Sequence, residues 1–169
     1  VVERDNIEIR GRPPADYVTE YEYRDPYFEG RQREFRGFGR ARARRIGDAN
    51  SPTDVSESVF LLGECLDPTN GSRWDGVDQS HYCAPPNRWA DHPYEALKGL
   101  PVETHKVDLS GLHQVSTENA YTIRTLYRGL DGRAVRHAFL SQTDALLYDT
   151  ATGVQPRVGV VRSGYVDLD

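Results

Sequence analysis

Polar and apolar residues alternate with period two along much of this chain. Tyr17, Thr19, Tyr21 and Tyr23 interleave with Val18, Glu20, Glu22 and Arg24, and such alternation in β-favouring residues predicts a half-buried strand. Asp25-Pro26 and Glu29-Gly30 supply turn chemistry. A second strand is predicted from about Gln32 to Ile46, which makes 17–46 a hairpin. Its alternation places Phe35, Gly37, Gly39, Ala41 and Ala43 on one face, and Glu34, Arg36, Phe38, Arg40, Arg42 and Arg44 on the other. Two glycines inside a strand signal a bulge, a bend or a close backbone approach.

Residues 47–54 read as a loop. For Ser56–Leu62 two patterns compete: Asp54 and Glu57 fit a capping box and a short helix, whereas Val59-Phe60-Leu61-Leu62 fits a buried strand. The strand is the expectation. Residues 63–90 hold few apolar residues and many turn formers, such as Asp67-Pro68, Asn70-Gly71 and Asp75-Gly76. This is a long loop or an insertion, of the kind that is usually functional or poorly ordered. Proline at 93, lysine at 98 and glycine at 99 predict one short helix near 92–98. Further strands are expected at Pro101–Leu109, Ala120–Tyr127, Ala134–Leu140, Ala145–Tyr148 and Arg157–Asp169. Tyr121, Ile123, Thr125 and Tyr127 fall on one side of theirs. Turns are expected at Ser110-Gly111 and at Leu130-Asp131-Gly132-Arg133. The fold class is therefore mainly β, built of antiparallel hairpins.

Composition narrows the picture. Only 37% of the 169 residues are hydrophobic and mean hydropathy is −0.68, so a rich independent core is not expected. The longest apolar run is strand-sized, which argues against a membrane-spanning helix. The chain starts on Val1 without an initiator methionine and runs out in a strand-like Tyr165–Asp169, which predicts a fragment, 1–169, of a larger protein, with a processed mature chain as the alternative. A net charge of −5 disfavours general nucleic-acid binding. Locally the sign reverses: Arg31 to Arg45 holds seven arginines and one acid, Glu34.

The block Tyr21-Glu22-Tyr23-Arg24-Asp25-Pro26-Tyr27-Phe28-Glu29-Gly30-Arg31-Gln32-Arg33-Glu34-Phe35-Arg36-Gly37-Phe38-Gly39-Arg40 resembles the middle region of the Tc-toxin B component and of SpvB-like virulence proteins. Ala96-Leu97-Lys98-Gly99 and the strand after it resemble a second element of that family. The likeness runs over most of residues 15–169, with 63–90 as the departure. It implies a Rhs-type (YD-repeat) shell, in which repeated hairpins form a curved strip enclosing a toxic polypeptide. On that reading the segment is secreted, non-catalytic wall without cofactor. Its partners are the rest of the shell chain or a second shell subunit, and the enclosed toxin polypeptide. No nucleic-acid or membrane contact is implied. The motif residues Tyr21, Tyr23, Gly30, Arg31, Glu34, Phe35, Arg36, Gly37, Phe38, Gly39, Ala96, Leu97, Lys98 and Gly99 are then structural.

Other chemistry competes weakly. Cys65, His81, Cys83 and His92 are potential zinc ligands, but their spacing matches no compact finger. A Cys65–Cys83 disulfide suits the compartment that the resemblance implies, and inert thiols are the remaining reading. Asp67, Asn70, Asp75 and Asp78 lack the order of a calcium loop and are better explained as turn residues. His105, His113 and His137 read as packing or surface residues. The arginine stripe (Arg36, Arg40, Arg42 and Arg44) either holds an acidic partner or pairs across strands with Glu20, Glu22 and neighbouring acids. Two other functions stay open: an independent β-rich binding module using 63–90 and the stripe, and a small zinc-dependent hydrolase.

Overall fold

The computed structural model describes residues 1–7, 15–29, 33–48, 51–63, 93–149 and 157–165. Eight strands among them form one antiparallel sheet whose spatial order is the chain order. They are β1 (Val2–Ile7), β2 (Ala15–Glu29), β3 (Glu34–Arg45), β4 (Asp54–Phe60), β5 (Pro101–Val107), β6 (His113–Arg128), β7 (Ala134–Tyr148) and β8 (Arg157–Gly164). A short 3₁₀ helix, Pro93–Leu97, precedes β5. The expected β class, the 17–46 hairpin and the single short helix are all present. The 54–60 strand displaces the capping-box helix. Its residues Val55 and Val59 sit in a ladder between β3 and β5, so packing on both flanks outweighs the local cap signal.

Hydrogen bonds that close two of the turns explain why the strands stop there. Asp108 accepts backbone hydrogen bonds from Ser110 (2.9 Å) and Leu112 (2.8 Å) between β5 and β6, an Asx-type turn. The Asp-Gly turn between β6 and β7 closes with Gly132 N–H donating to Gly129 O at 3.0 Å.

Several local expectations are corrected. Asp25-Pro26 makes no turn, because β2 runs through it to Glu29. Asp25 adopts φ 56°, a kink that aspartate tolerates better than most residues, and Gly39 lies against it. A Cβ on Gly39 would sit 3.3 Å from Asp25 Cβ. β1 had no clear sequence signal. β6 starts at His113 instead of Ala120, and the two segments expected at 134–140 and 145–148 are one strand. Opposite Ala120/Tyr121 the register slips by one residue, so β7 carries a bulge at Ser141 that interrupts its alternation without ending it.

Bulges also redistribute the faces. Phe28 pairs with Phe35 and Tyr27 with Gly37, so Arg36 is the extra residue of β3. Gly37 there has φ +100°, a region open to glycine at little cost. One extra residue inverts the alternation. Phe35 and Phe38, expected on opposite faces, are therefore in edge-on contact with ring centroids 5.4 Å apart. A second bulge at Leu126 removes Tyr127 from the side shared by Tyr121 and Ile123.

Residues directly opposite one another across strands share a face. One face carries Glu22, Arg42, Glu57, His105, Ser116 and Leu146 in a single row. Beside it run Arg24, Arg40, Val59, Glu103, Glu118, Asp144 and Arg162. The other face is nearly neutral and built of small residues: Ala41, Ser58, Thr104, Thr117 and Ala145 lie in one row that begins at Tyr23. The 3₁₀ helix seats on that neutral face. Leu61 and Leu97 are buried there with Leu100, Val102, Tyr121, Ile123 and Ala138 around them. Val55, Val107 and Leu146 are buried within the charged face.

The bulge gives a direct test. A Cβ at Gly37 would meet nothing within 4 Å, so Gly37→Ala should cost backbone strain alone, about 1–3 kcal/mol. Gly164, also open to space, has no left-handed conformation, and Gly164→Ala should leave the urea midpoint nearly unchanged.

Candidate functional site

The two sequence blocks that carry the family resemblance meet in space. Because Arg36 is the bulged residue of β3, its side chain leaves the strand alternation and enters the interior, where it is 1% exposed. A buried guanidinium must be paired on most of its N–H groups or it is strongly destabilising. Arg36 Nη1 donates to Gly63 O at 2.7 Å and to Leu62 O at 3.3 Å. Its Nη2 donates to the Glu95 carboxylate, and Nε lies 3.6 Å from Glu34. Glu34 in turn accepts both contacts of Lys98 Nζ, at 2.7 and 2.9 Å.

These contacts tie both ends of the segment between Gly63 and Pro93 to β3. The backbone completes the junction: Leu61 N–H donates to Leu100 O at 2.9 Å, and Gly99 N–H donates to Leu61 O at 2.7 Å. Gly99 ends the 3₁₀ helix at φ +81°, as a helix-terminating glycine does. The hydrogen bond from Lys98 holds the Glu34 carboxyl below its ordinary value, with the Lys98 and Arg36 charges adding to it. A lowered carboxyl pKa contributes stability above the ordinary carboxylate range, and that contribution disappears as pH falls through the folded-state value.

The motif aromatics form a continuous row. Tyr21 stacks on Tyr23 at 6.4 Å, Tyr23 meets Phe38 at 5.1 Å, and Phe38 meets Phe35. Tyr21 also donates its hydroxyl to Glu3 of β1 at 3.0 Å, which raises the phenol pKa. Ala96 is half-buried beside Leu97. Gly30 and Arg31 lie outside the described residues.

The arginine stripe divides. Arg36 leaves it for the interior. Arg40 pairs with Asp25 at 3.2 Å, Arg42 with Glu57 at 3.4 Å and Arg44 with Glu20 at 3.2 Å. Cross-strand pairing therefore describes the other three, and their charge is matched locally by acids of β2 and β4. Cys65, His81, Cys83 and His92 lie outside the described residues, as do Asp67, Asn70, Asp75 and Asp78. So do the zinc, disulfide and calcium readings built on them. Among the described residues, no group of three or more His, Cys, Asp and Glu side chains is placed to hold a metal.

Sequence reasoning missed one cluster. His105 Nδ1 lies 2.8 Å and His113 Nδ1 3.2 Å from Ser116 Oγ, and the two rings are 4.6 Å apart. Glu103 lies 3.2 Å from His105 Nε2. The order Ser, His, Glu suggests a nucleophile, but Ser116 is 1% exposed and admits no substrate. The period-two pattern hid the cluster, because a bulge at Gln114 turns His113 onto the face of His105.

Among the described residues, the strands form an open antiparallel meander locked by a buried arginine. Residues 5–61 match the family model described as the insecticide toxin TcdB middle/N-terminal region. The likeness read from residues 21–40 is thus shown, since the matched span contains that block. Among solved structures, the crystal structure of TcdB2-TccC3 shares the fold at TM-score 0.60 and 19% identity, covering 79% of this chain and 8% of that one. The TcdB2-TccC3-TEV structure matches at TM-score 0.59 and 16% identity over 82% of this chain and 8% of its own. The Photorhabdus luminescens Tc holotoxin pore matches at TM-score 0.58 and 18% identity over 79% and 8%. The chain thus spans about a twelfth of those solved chains. No curated protein matches it.

Replacing the clamp should separate it from the surface stripe. Arg36→Met leaves the Gly63 carbonyl and Glu95 without their partner, and is expected to cost about 3 kcal/mol. Arg44→Met breaks an exposed pair, expected at about 0.5 kcal/mol. Urea midpoints of the two variants check the ratio, and equal shifts would contradict the buried role of Arg36.

Proposed function

We propose that this segment is non-catalytic wall in a large hollow β-shell that encloses a toxic polypeptide in a secreted bacterial toxin. The observation that carries the reading is the sheet itself. A stable domain normally packs two layers around a core. Here the strands run in order from β1 to β8, both outermost strands have partners on one side among the described residues, and the 3₁₀ helix covers a small part of one face. Phe28, Phe35, Leu126, Tyr127 and Val161 are more than half exposed. Such a sheet gains its stability from neighbours, as repeated units that share a core do. The match to the toxin's middle region and the fold shared with far longer toxin chains support the same reading.

The remainder of the shell, in the same chain or a partner subunit, would then cover the open edges and faces. The TcdB2-TccC3 pairing in the neighbours' names supports a second toxin subunit as partner. On the charged face one row alternates in sign from β2 to β4 (Glu22, Arg42, Glu57), whereas the row beside it opens with two arginines, Arg24 and Arg40. The binding-module alternative gains nothing from the stripe, since Arg40, Arg42 and Arg44 are paired.

Negative-stain electron microscopy of the full chain, with its intact mass, tests the proposal. A large hollow particle is expected. A compact particle without a cavity would overturn the wall role and bring the binding-module reading forward.

A further inference from the structure

We infer that the pair His105 and His113, closed on the buried hydroxyl of Ser116, is an acid-sensitive latch that fixes the register of β5 on β6. This does not depend on the shell reading. It starts from the bulge: Lys106 pairs with Val115 but Val107 with His113, so Gln114 is an extra residue. Without it His113 would share the face of Val115 and could not reach Ser116. Bulges that re-aim a side chain concentrate where that side chain has a task.

The hydrogen bonds have one consistent neutral solution. Ser116 has a single proton to give and lies 2.8 Å from one Nδ1 and 3.2 Å from the other. His105 Nε2 faces the Glu103 carboxylate at 3.2 Å, so that nitrogen carries the proton and Nδ1 is bare. Ser116 therefore donates to His105 and accepts from His113 Nδ1–H. Protonating His105 turns both Nδ1 groups into donors; the Ser116 oxygen can accept both, but its own buried hydroxyl proton then loses its acceptor. Protonating His113 as well places two cationic rings 4.6 Å apart. The complete set of hydrogen bonds therefore requires a neutral His105, and the close ring approach opposes a second cation.

The surroundings on each strand set the balance. β4 contributes Glu57, opposite His105 and paired to Arg42 of β3 at 3.4 Å. β5 contributes Glu103, and β6 contributes Glu118 opposite it. β7 ends beside the pair in Tyr148, whose ring meets that of His113 edge-on at 5.7 Å, with Asp149 next in the chain. Asp108, in the connecting turn, is committed to the amides of Ser110 and Leu112. Burial and the neighbouring His105 lower the pKa of His113, against an opposite pull from Glu57 and Glu103. The sign follows from linkage. The unfolded strand binds its proton near the ordinary histidine value, about 6.5, and the folded one at lower pH. Stability is therefore full above that value and is lost as pH falls through it towards the folded-state pKa.

Hydrogen–deuterium exchange of the full chain at pH 7.5 and pH 5.0, corrected for chemical exchange, tests the latch. Peptides spanning 101–118 should lose protection at pH 5.0 relative to peptides from β2 and β3. His113→Gln should remove that pH dependence, and His137→Gln, on an exposed site of β7, should retain it. Should His113→Gln not fold, the wild-type comparison with His105→Gln decides. Unchanged relative protection in the wild-type chain, or a pH dependence that survives in a folded His113→Gln or His105→Gln chain, would overturn the latch.

Discussion

A guanidinium buried inside a sheet needs partners for most of its N–H groups, and that requirement organises this structure. Arg36 reaches the interior because β3 carries one residue too many opposite Tyr27 and Phe28. Its partners are the carbonyls of Leu62 and Gly63 and the carboxylate of Glu95, which lie on either side of a long intervening segment. The bulge, the positive φ of Gly37, the salt bridge from Lys98 to Glu34 and the end of the 3₁₀ helix at Gly99 belong to one junction. Each part gains its role from the need to satisfy that one charge.

The second constraint is thickness. A sheet with mostly charged and polar side chains on one face and small, nearly neutral side chains on the other has little with which to build a core. Where a core forms, around Leu61 and Leu97, it does so because the junction holds the 3₁₀ helix against Val102, Tyr121 and Ile123. Elsewhere the neutral face is lined, among the described residues, by the small side chains Ala41, Ser58, Thr104 and Ala145, which permit another layer to approach closely. That asymmetry is what a wall would require, with one face for stacking and one for solvent or contents.

Much of this was legible in the sequence, and the failures share one cause. Period-two alternation located the hairpin at 17–46 and the strands after Pro101, and the apolar run at 59–62 located a strand expected at Ser56–Leu62 that runs from Asp54 to Phe60. The Pro–Lys–Gly spacing located the short helix. The two glycines at 37 and 39 announced a bulge and a close approach, and both occur. What alternation could not carry was the effect of the bulges themselves. The insertion at Arg36 moved Phe35 onto the face of Phe38 and took Arg36 itself from the surface stripe into the interior, that at Leu126 sent Tyr127 away from Ile123, and that at Gln114 brought His113 to His105. Nothing in the side chains at 36, 114, 126 or 141 marks them as inserted, because the insertion is a property of the pairing with the next strand. β1 escaped for a related reason: Val2–Ile7 has little alternation of its own, and its pairing with β2 defines it. The pairing of Arg36 with Glu95 was illegible because it joins residues 59 positions apart. Even so, both partners fell in or beside the two blocks that the sequence had singled out.

The claim that most needs testing is that this sheet continues beyond its own first and last strands. Hydrogen exchange of β1 and β8, compared between the full chain and the isolated 169-residue segment, addresses it directly. The account predicts that the outward-facing amides of both strands are protected in the full chain and exchange freely in the segment, while the amides of β3 to β6 behave more nearly alike. Equal, fast exchange of β1 and β8 in both would contradict it, since the sheet would then end where these strands end.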